Sequence, residues 1–140
     1  MYTGTEDHSG YTANAGDMTF YSDGSDSSIH AKNFYITTPI YYPSGQPHMG
    51  HAYSSILADV FARFHRNDNC KVYFLTGTDE HGLKIQKAAE ENDLDPLIYC
   101  NKISKIFKDL TIKLNLSNDD FIRTTEKRHY NAVKDLWNRL

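Results

Sequence analysis

The chain has 140 residues, enough for one modest domain with its own core, and its 13% aromatic content excludes disorder throughout. The net charge of −3 hides an imbalance: residues 1–33 hold five acids against one base, and the remainder 13 acids against 14 bases, so neither part has the basic excess of a nucleic-acid surface. No run of apolar residues reaches the length of a membrane span, and Cys70 and Cys100 stand apart, without the spacing of a zinc site or the even set of a disulfide frame.

The two cysteines read as reduced intracellular thiols. The N-terminus is acidic and lacks an apolar core, so it is neither a signal peptide nor an Arg-rich transit peptide, and the cytoplasm is the expected compartment. Residues 1–33 are rich in Ser, Thr, Gly and Asp, and their few apolar residues have no period. They are expected to form a flexible acidic extension, to which the sequence assigns no role. From Asn33 the character changes. Phe34 to Thr38 reads as a buried strand. Ile56, Leu57, Val60, Phe61 and Phe64 then mark a helix from about Gly50 to His65, closed by a turn at Asn67, Asp68 and Asn69.

Val72 to Leu75 is a second short strand, followed by a polar loop from Gly77 to Gly82. Leu83, Ile85, Ala88 and Ala89 support a helix ending near Asn92. Asp95 before Pro96 is a helix start, and the apolar residues from Leu97 to Leu114 carry that helix. Phe121 and Ile122 give a third strand, and Thr125 can cap a last helix through Ala132, Val133, Leu136 and Trp137. Strands alternating with helices predict an α/β fold with a parallel sheet. Three short strands make it a thin one, the first part of a larger domain spanning residues 34–140.

The turn from Thr37 to Ala52 reads Thr-Thr-Pro-Ile-Tyr-Tyr-Pro-Ser-Gly-Gln-Pro-His-Met-Gly-His-Ala. It leads from a strand into a helix, and ligands of open parallel sheets bind at the carboxyl ends of their strands. A helix start there offers free N–H groups and a positive dipole end to an anion, with His48 and His51 as flanking donors to phosphate oxygens. Gly50 between them lets a flat ligand lie against the backbone. Asp79, Glu80 and His81 follow the next strand. The two groups together form one cleft with anion donors on one side and carboxylates on the other. It suits a substrate with a polyphosphate end and an ammonium end, the latter held by Asp79.

Pro47-His48-Met49-Gly50-His51 resembles the His-Ile-Gly-His signature of class I aminoacyl-tRNA synthetases, with Met in place of Ile. Thr37 to Gly45, Phe74-Leu-Thr-Gly-Thr-Asp-Glu-His-Gly-Leu-Lys-Ile and Phe121-Ile-Arg-Thr-Thr-Glu closely resemble the methionyl-tRNA synthetases, and the resemblance runs from Asn33 to Leu140. It implies the first half of a Rossmann-type nucleotide-binding catalytic domain, which joins methionine to ATP as methionyl-adenylate and passes methionine to tRNA(Met). ATP enters with Mg²⁺. By the same resemblance His48 and His51 are catalytic. Tyr42, Gly45, His48, Gly50 and His51 contact ATP, with Gly50 under the adenine. Ile40, Tyr42 and Asp79 hold methionine. The family's Lys-Met-Ser-Lys-Ser loop, its anticodon-reading domain and the Cys-rich knuckle that can carry zinc have no counterpart in these 140 residues, and no metal is assigned to them.

Other readings stay open beside this one. His48, His51, His81 and Asp79 have ligand types for a metal site. The chain also suits another class I synthetase or a related adenylyl-transferring enzyme. It equally suits a catalytically incomplete fragment or gene-model remnant acting as a nucleotide- or partner-binding module. Glu80, Lys84 and Lys87 read as solvated charges, Tyr41 as core, and Trp137 as packing inward, where the rest of the larger domain would cover it.

Overall fold

The computed structural model describes residues 32–140 and, as backbone, a short antiparallel hairpin of β1 (Asn14–Ala15) and β2 (Met18–Thr19). The expectation of a flexible segment over residues 1–33 otherwise lies outside the described residues. The domain then runs β3 (Asn33–Thr37), α1 (Met49–Asn67), β4 (Lys71–Thr78), α2 (Leu83–Glu90), α3 (Pro96–Lys113), β5 (Asp120–Arg123) and α4 (Lys127–Arg139). The three strands form a parallel sheet in the order β3-β4-β5, with Ile36 opposite Phe74 and Thr76 opposite Phe121. The expected α/β fold is therefore present, and the two polar segments do follow neighbouring strands.

β4 is longer than the sequence suggests. Gly77 and Thr78, expected in the loop, pair with Ile122 and Arg123. A Cβ built on Gly77 would lie 2.0 Å from the Ile122 carbonyl oxygen and 2.7 Å from its Cγ2. Only glycine lets the strands pair at this point. Gly77→Ala is expected to destabilise the domain by at least about 1–3 kcal/mol, the usual cost of overpacking, read as a lower urea midpoint.

Side chains alternate along a strand, so Ile36, Phe74, Thr76 and Phe121 share one sheet face. Ile36 and Phe74 pack with Ala58 and Ala62 of α1, while Phe121 packs with Ile85, Ala88 and Ala89 of α2 and Ile103 and Phe107 of α3. The opposite face carries Tyr35 and Tyr73, stacked and exposed. Of the helix-marking residues of α1, Phe61 packs partly buried against the cluster around Phe74, but the fully buried positions belong to others. Ile56, Val60 and Phe64 are exposed, and the buried residues are Ser55, Ala58, Asp59 and Ala62. Small side chains let the helix lie close on the sheet. Asp59 accepts hydrogen bonds from Arg63 and from the backbone and hydroxyl of Ser117, which ties the helix to the start of β5.

Asp95 caps α3 as expected, accepting from the amides of Leu97 and Ile98. Thr125 does not cap α4. Glu126 holds that position without a side-chain cap, and Thr125 donates to Glu80 instead. α4 buries none of its residues, and Trp137, expected to pack inward, is 79% exposed. The helix is held from its first turns, through Arg128 to Asp120 and Tyr130 to His81, and nothing among the described residues covers its apolar side.

Candidate active site

The connection from β3 to α1 is pinned to the neighbouring strand before it reaches the helix. Thr38 N–H donates to Leu75 and Tyr41 N–H to Gly77, and Asp79 N–H donates back to the Tyr41 carbonyl at 2.8 Å. Pro43 is buried, and the Tyr99 hydroxyl of α3 donates to the Ser44 carbonyl. Tyr41 is core, as expected: its ring stacks on Phe107 and its hydroxyl donates to the His51 carbonyl and pairs with Ser55.

His48 is the N-cap of α1, extended at φ −126° and ψ 179°, and its Nδ1 accepts from the Gly50 amide at 3.0 Å. His51 Nδ1 accepts from the His48 amide at 3.1 Å. The pair forms a reciprocal capping box in which imidazoles replace the usual hydroxyl and carboxylate. With both Nδ1 lone pairs committed to backbone donors, each neutral ring carries its proton on Nε2, the atom left to meet a ligand. The first turn holds no acidic residue to offset the positive end of the helix dipole. A Cβ on Gly50 would stand 2.8 Å from His48 Cε1, so the glycine also makes room for the capping ring.

Burial, with the neighbouring His48 second, holds His51 below the ordinary imidazole value of 6.5. Protonating Nδ1 would set a donor against a donor. The folded value lies under the unfolded one, so the stability contributed by the buried neutral ring is present above pH 6.5 and is lost as pH falls through the lower folded value. A proton NMR titration of the His51 ring is expected to give a midpoint below 6.5. A higher midpoint would contradict the burial of the neutral ring beside His48.

These groups line one cleft of about 1060 Å³. Ile40, Tyr42, Gly45, His48, Gly50, His51 and Asp79, every site residue expected from the sequence, are on its wall, with Ser44, Gln46, Ser54 and His81 between them. Ile40 and Tyr42 are exposed to it. A Cβ on Gly45 would meet nothing within 4 Å, so protein packing does not require a glycine there. Asp79 follows the carboxyl end of β4. Its Oδ1 accepts from the Thr124 hydroxyl at 3.3 Å and lies 3.8 Å from the His81 ring. His81 is held in turn by Thr124 and Tyr130. Lys84, expected on a solvated face, is exposed but sits on the cleft rim. Among the described residues, His48, His51, His81 and Asp79 do not converge as a metal-ligand set.

Glu80 departs furthest from expectation. Expected in solvent, it is 5% exposed, and four side chains satisfy it. Arg123 reaches it with two bonds, at 2.6 and 2.8 Å, Thr78 at 2.9 Å, and Ser104 and Thr125 complete the set. Burial would push its carboxyl up; the Arg123 guanidinium and the hydroxyls of Ser104, Thr125 and Thr78 outweigh that and hold it below 4.5. Glu80 thus locks the loop that carries Asp79 to the end of β5. The one signal in the sequence was a lone Arg123 at the end of a neighbouring strand.

Comparison with known proteins identifies the family of this chain. A family model described as tRNA synthetases class I (M) matches residues 34–140. The chain is 54% identical over 107 residues to a methionine–tRNA ligase of Rickettsia prowazekii and 53% identical over 109 residues to methionine–tRNA ligase 1 of Bacillus cereus. These alignments cover 76% and 78% of this chain but only 21% and 16% of those proteins, so the chain spans about a fifth of their length. A Mycobacterium tuberculosis methionyl-tRNA synthetase in complex with methionyl-adenylate superposes with a TM-score of 0.75 at 47% identity, over 77% of this chain and 21% of that one. With a family model matching residues 34–140, which include every residue lining the cleft, this chain belongs to the class I (M) tRNA synthetases.

Proposed function

We propose that this chain carries the first half of a methionine–tRNA ligase active site. In that reaction a methionine carboxylate oxygen attacks the α-phosphorus of ATP, the bond to the β-phosphate oxygen breaks, and methionyl-adenylate and pyrophosphate form. A ribose hydroxyl of tRNA(Met) then takes the methionyl group and AMP leaves. The observation that carries this reading is the pairing of two Nε2–H donors at a helix start with the Asp79 carboxylate in one cleft. The imidazoles and the dipole end are suited to the phosphate oxygens, where charge builds at the α-phosphorus as pyrophosphate departs. Both rings are oriented by their caps before ATP arrives, so little reorganisation is needed at the moment of reaction.

Asp79 is suited to the methionine ammonium. Ile40 and Tyr42 offer an apolar, aromatic wall to a side chain that has no charge to read. Tyr42 and Gly45 lie on the stretch that leads to the histidines, in reach of the nucleotide. ATP enters as its Mg²⁺ complex, and the balance of the pyrophosphate charge falls to residues outside these 140. No helix among the described residues is long and apolar enough to cross a membrane. Both cysteines are free thiols, in keeping with work in the cytoplasm.

The test is a transplant. Residues 34–140 replace the matching segment of the full-length Rickettsia prowazekii enzyme, and methionine-dependent exchange of pyrophosphate into ATP is measured. Exchange specific to methionine is expected. A folded chimaera without exchange, or with exchange driven by another amino acid, would overturn the reading.

A further inference from the structure

We propose that His65, Asp68 and Cys70 bind one thiophilic divalent cation of the zinc class, clipping the end of α1 to the start of β4. Their ligand atoms, an imidazole nitrogen, a carboxylate oxygen and a thiol sulfur, all lie within 4.8 Å of one another. His65 Nδ1 and Cys70 Sγ are 3.9 Å apart. Ligands of a tetrahedral zinc, with bonds of about 2.0–2.3 Å, sit roughly 3.6 Å from each other, so the cluster needs to contract by only about an ångström at its widest. Asp68 is exposed and free to make that movement.

The other two ligands are already placed by the fold. The His65 ring stacks on Phe34 of β3 at 3.7 Å and meets Phe64 edge-on. The turn is wound by backbone bonds, Asp68 N–H to Phe64 and Cys70 N–H to the His65 carbonyl at 2.9 Å, and Asn69 takes the left-handed conformation at φ 58°. That geometry returns Cys70 to the side of His65. Sulfur and imidazole select zinc-class ions over magnesium or calcium, which want oxygen alone. Binding breaks the S–H bond, and the proton leaves to solvent as the thiolate joins the metal. Three protein ligands leave the fourth position to water.

The site stands at the amino end of β4, and the catalytic cleft at its carboxyl end, so its role is to fix the crossover between the first two strands of the sheet. The His-x-x-Asp-x-Cys spacing matches no common zinc signature, so the sequence alone does not point to a metal at this turn.

The test uses the whole 140-residue chain with Co²⁺ as the probe. Circular dichroism first confirms that each metal-free variant keeps the parent spectrum. One Co²⁺ per chain is expected, with a thiolate-to-cobalt charge-transfer band that Zn²⁺ displaces. Cys70→Ser should abolish the band and Cys100→Ser keep it, while His65→Gln and Asp68→Asn should each weaken binding by at least tenfold. X-ray absorption of the zinc-loaded parent chain should show one sulfur at about 2.3 Å. The proposal is overturned by the absence of the band, by its survival in Cys70→Ser, by indifference to either His65→Gln or Asp68→Asn, or by a zinc shell without sulfur.

Discussion

Glu80→Ala is expected to destabilise the domain by about 3–5 kcal/mol, the usual cost of removing one partner from a buried ion pair. Three hydroxyls and a guanidinium converge on this carboxylate, and none of its side-chain surface is exposed. Among the described residues, its loss leaves Arg123 with Asn101 as its remaining side-chain partner, Thr125 without this acceptor, and Thr78 and Ser104 with each other alone in place of the carboxylate. Urea unfolding of the chain reads the effect as a fall in midpoint. A double variant that also carries Arg123→Leu should recover part of the loss, because the orphaned charge goes with it. A Glu80→Ala midpoint equal to that of the parent would show that the network contributes nothing. The consequence reaches the site through one peptide bond. Asp79 precedes Glu80, and Thr124, which holds the Glu80 amide at 2.8 Å, also donates to Asp79.

His51→Ala in the full-length chimaera should slow adenylate formation by about 10²–10³, or roughly 3–4 kcal/mol, the effect of losing one preorganised donor to transition-state charge. The substitution removes more than a donor. His51 accepts from the His48 amide, so without it the cap loses half its bonds and the His48 ring loses its neighbour at 3.9 Å. His51→Asn separates the two roles. Its short amide can still accept from the backbone, but its donor falls short of the position of Nε2. A slow enzyme with an unchanged unfolding midpoint is the expected outcome for that variant.

Much of this site was legible because its signals are local. A turn rich in proline and glycine, bracketed by a strand and a helix, puts His48, Gly50 and His51 at a helix start whatever the remaining chain does. Asp95 before Pro96 worked the same way. What the sequence hid depends on distant partners. Glu80 is buried because Arg123 and Ser104, 43 and 24 residues away, come to it. Thr125 looked like a cap and serves the same carboxylate. On α1 the apolar spacing was real, but apart from Phe61 the side that packs closest is the small-residue side, and Ile56, Val60 and Phe64 are exposed. Periodicity reports that a helix is amphipathic and says nothing about which neighbour its bulky face awaits. Trp137 stands on such a face, exposed here and expected to be covered by the rest of the larger domain.

The proposed reading divides the lining of the cleft, with the histidines suited to phosphate and Asp79 to the ammonium. Pre-steady-state adenylate formation in the full-length chimaera, titrated separately in methionine and in ATP, tests that division for His51→Ala and Asp79→Ala. His51→Ala should lower the maximal rate and leave the methionine requirement near that of the parent. Asp79→Ala should raise the methionine requirement by about 10- to 150-fold, as expected for a lost charge-assisted bond of about 1.5–3 kcal/mol, and leave the ATP requirement unchanged. If His51→Ala raised only the methionine requirement, or Asp79→Ala only that for ATP, the two ends would be reversed, with phosphate at Asp79 and the ammonium at the histidines.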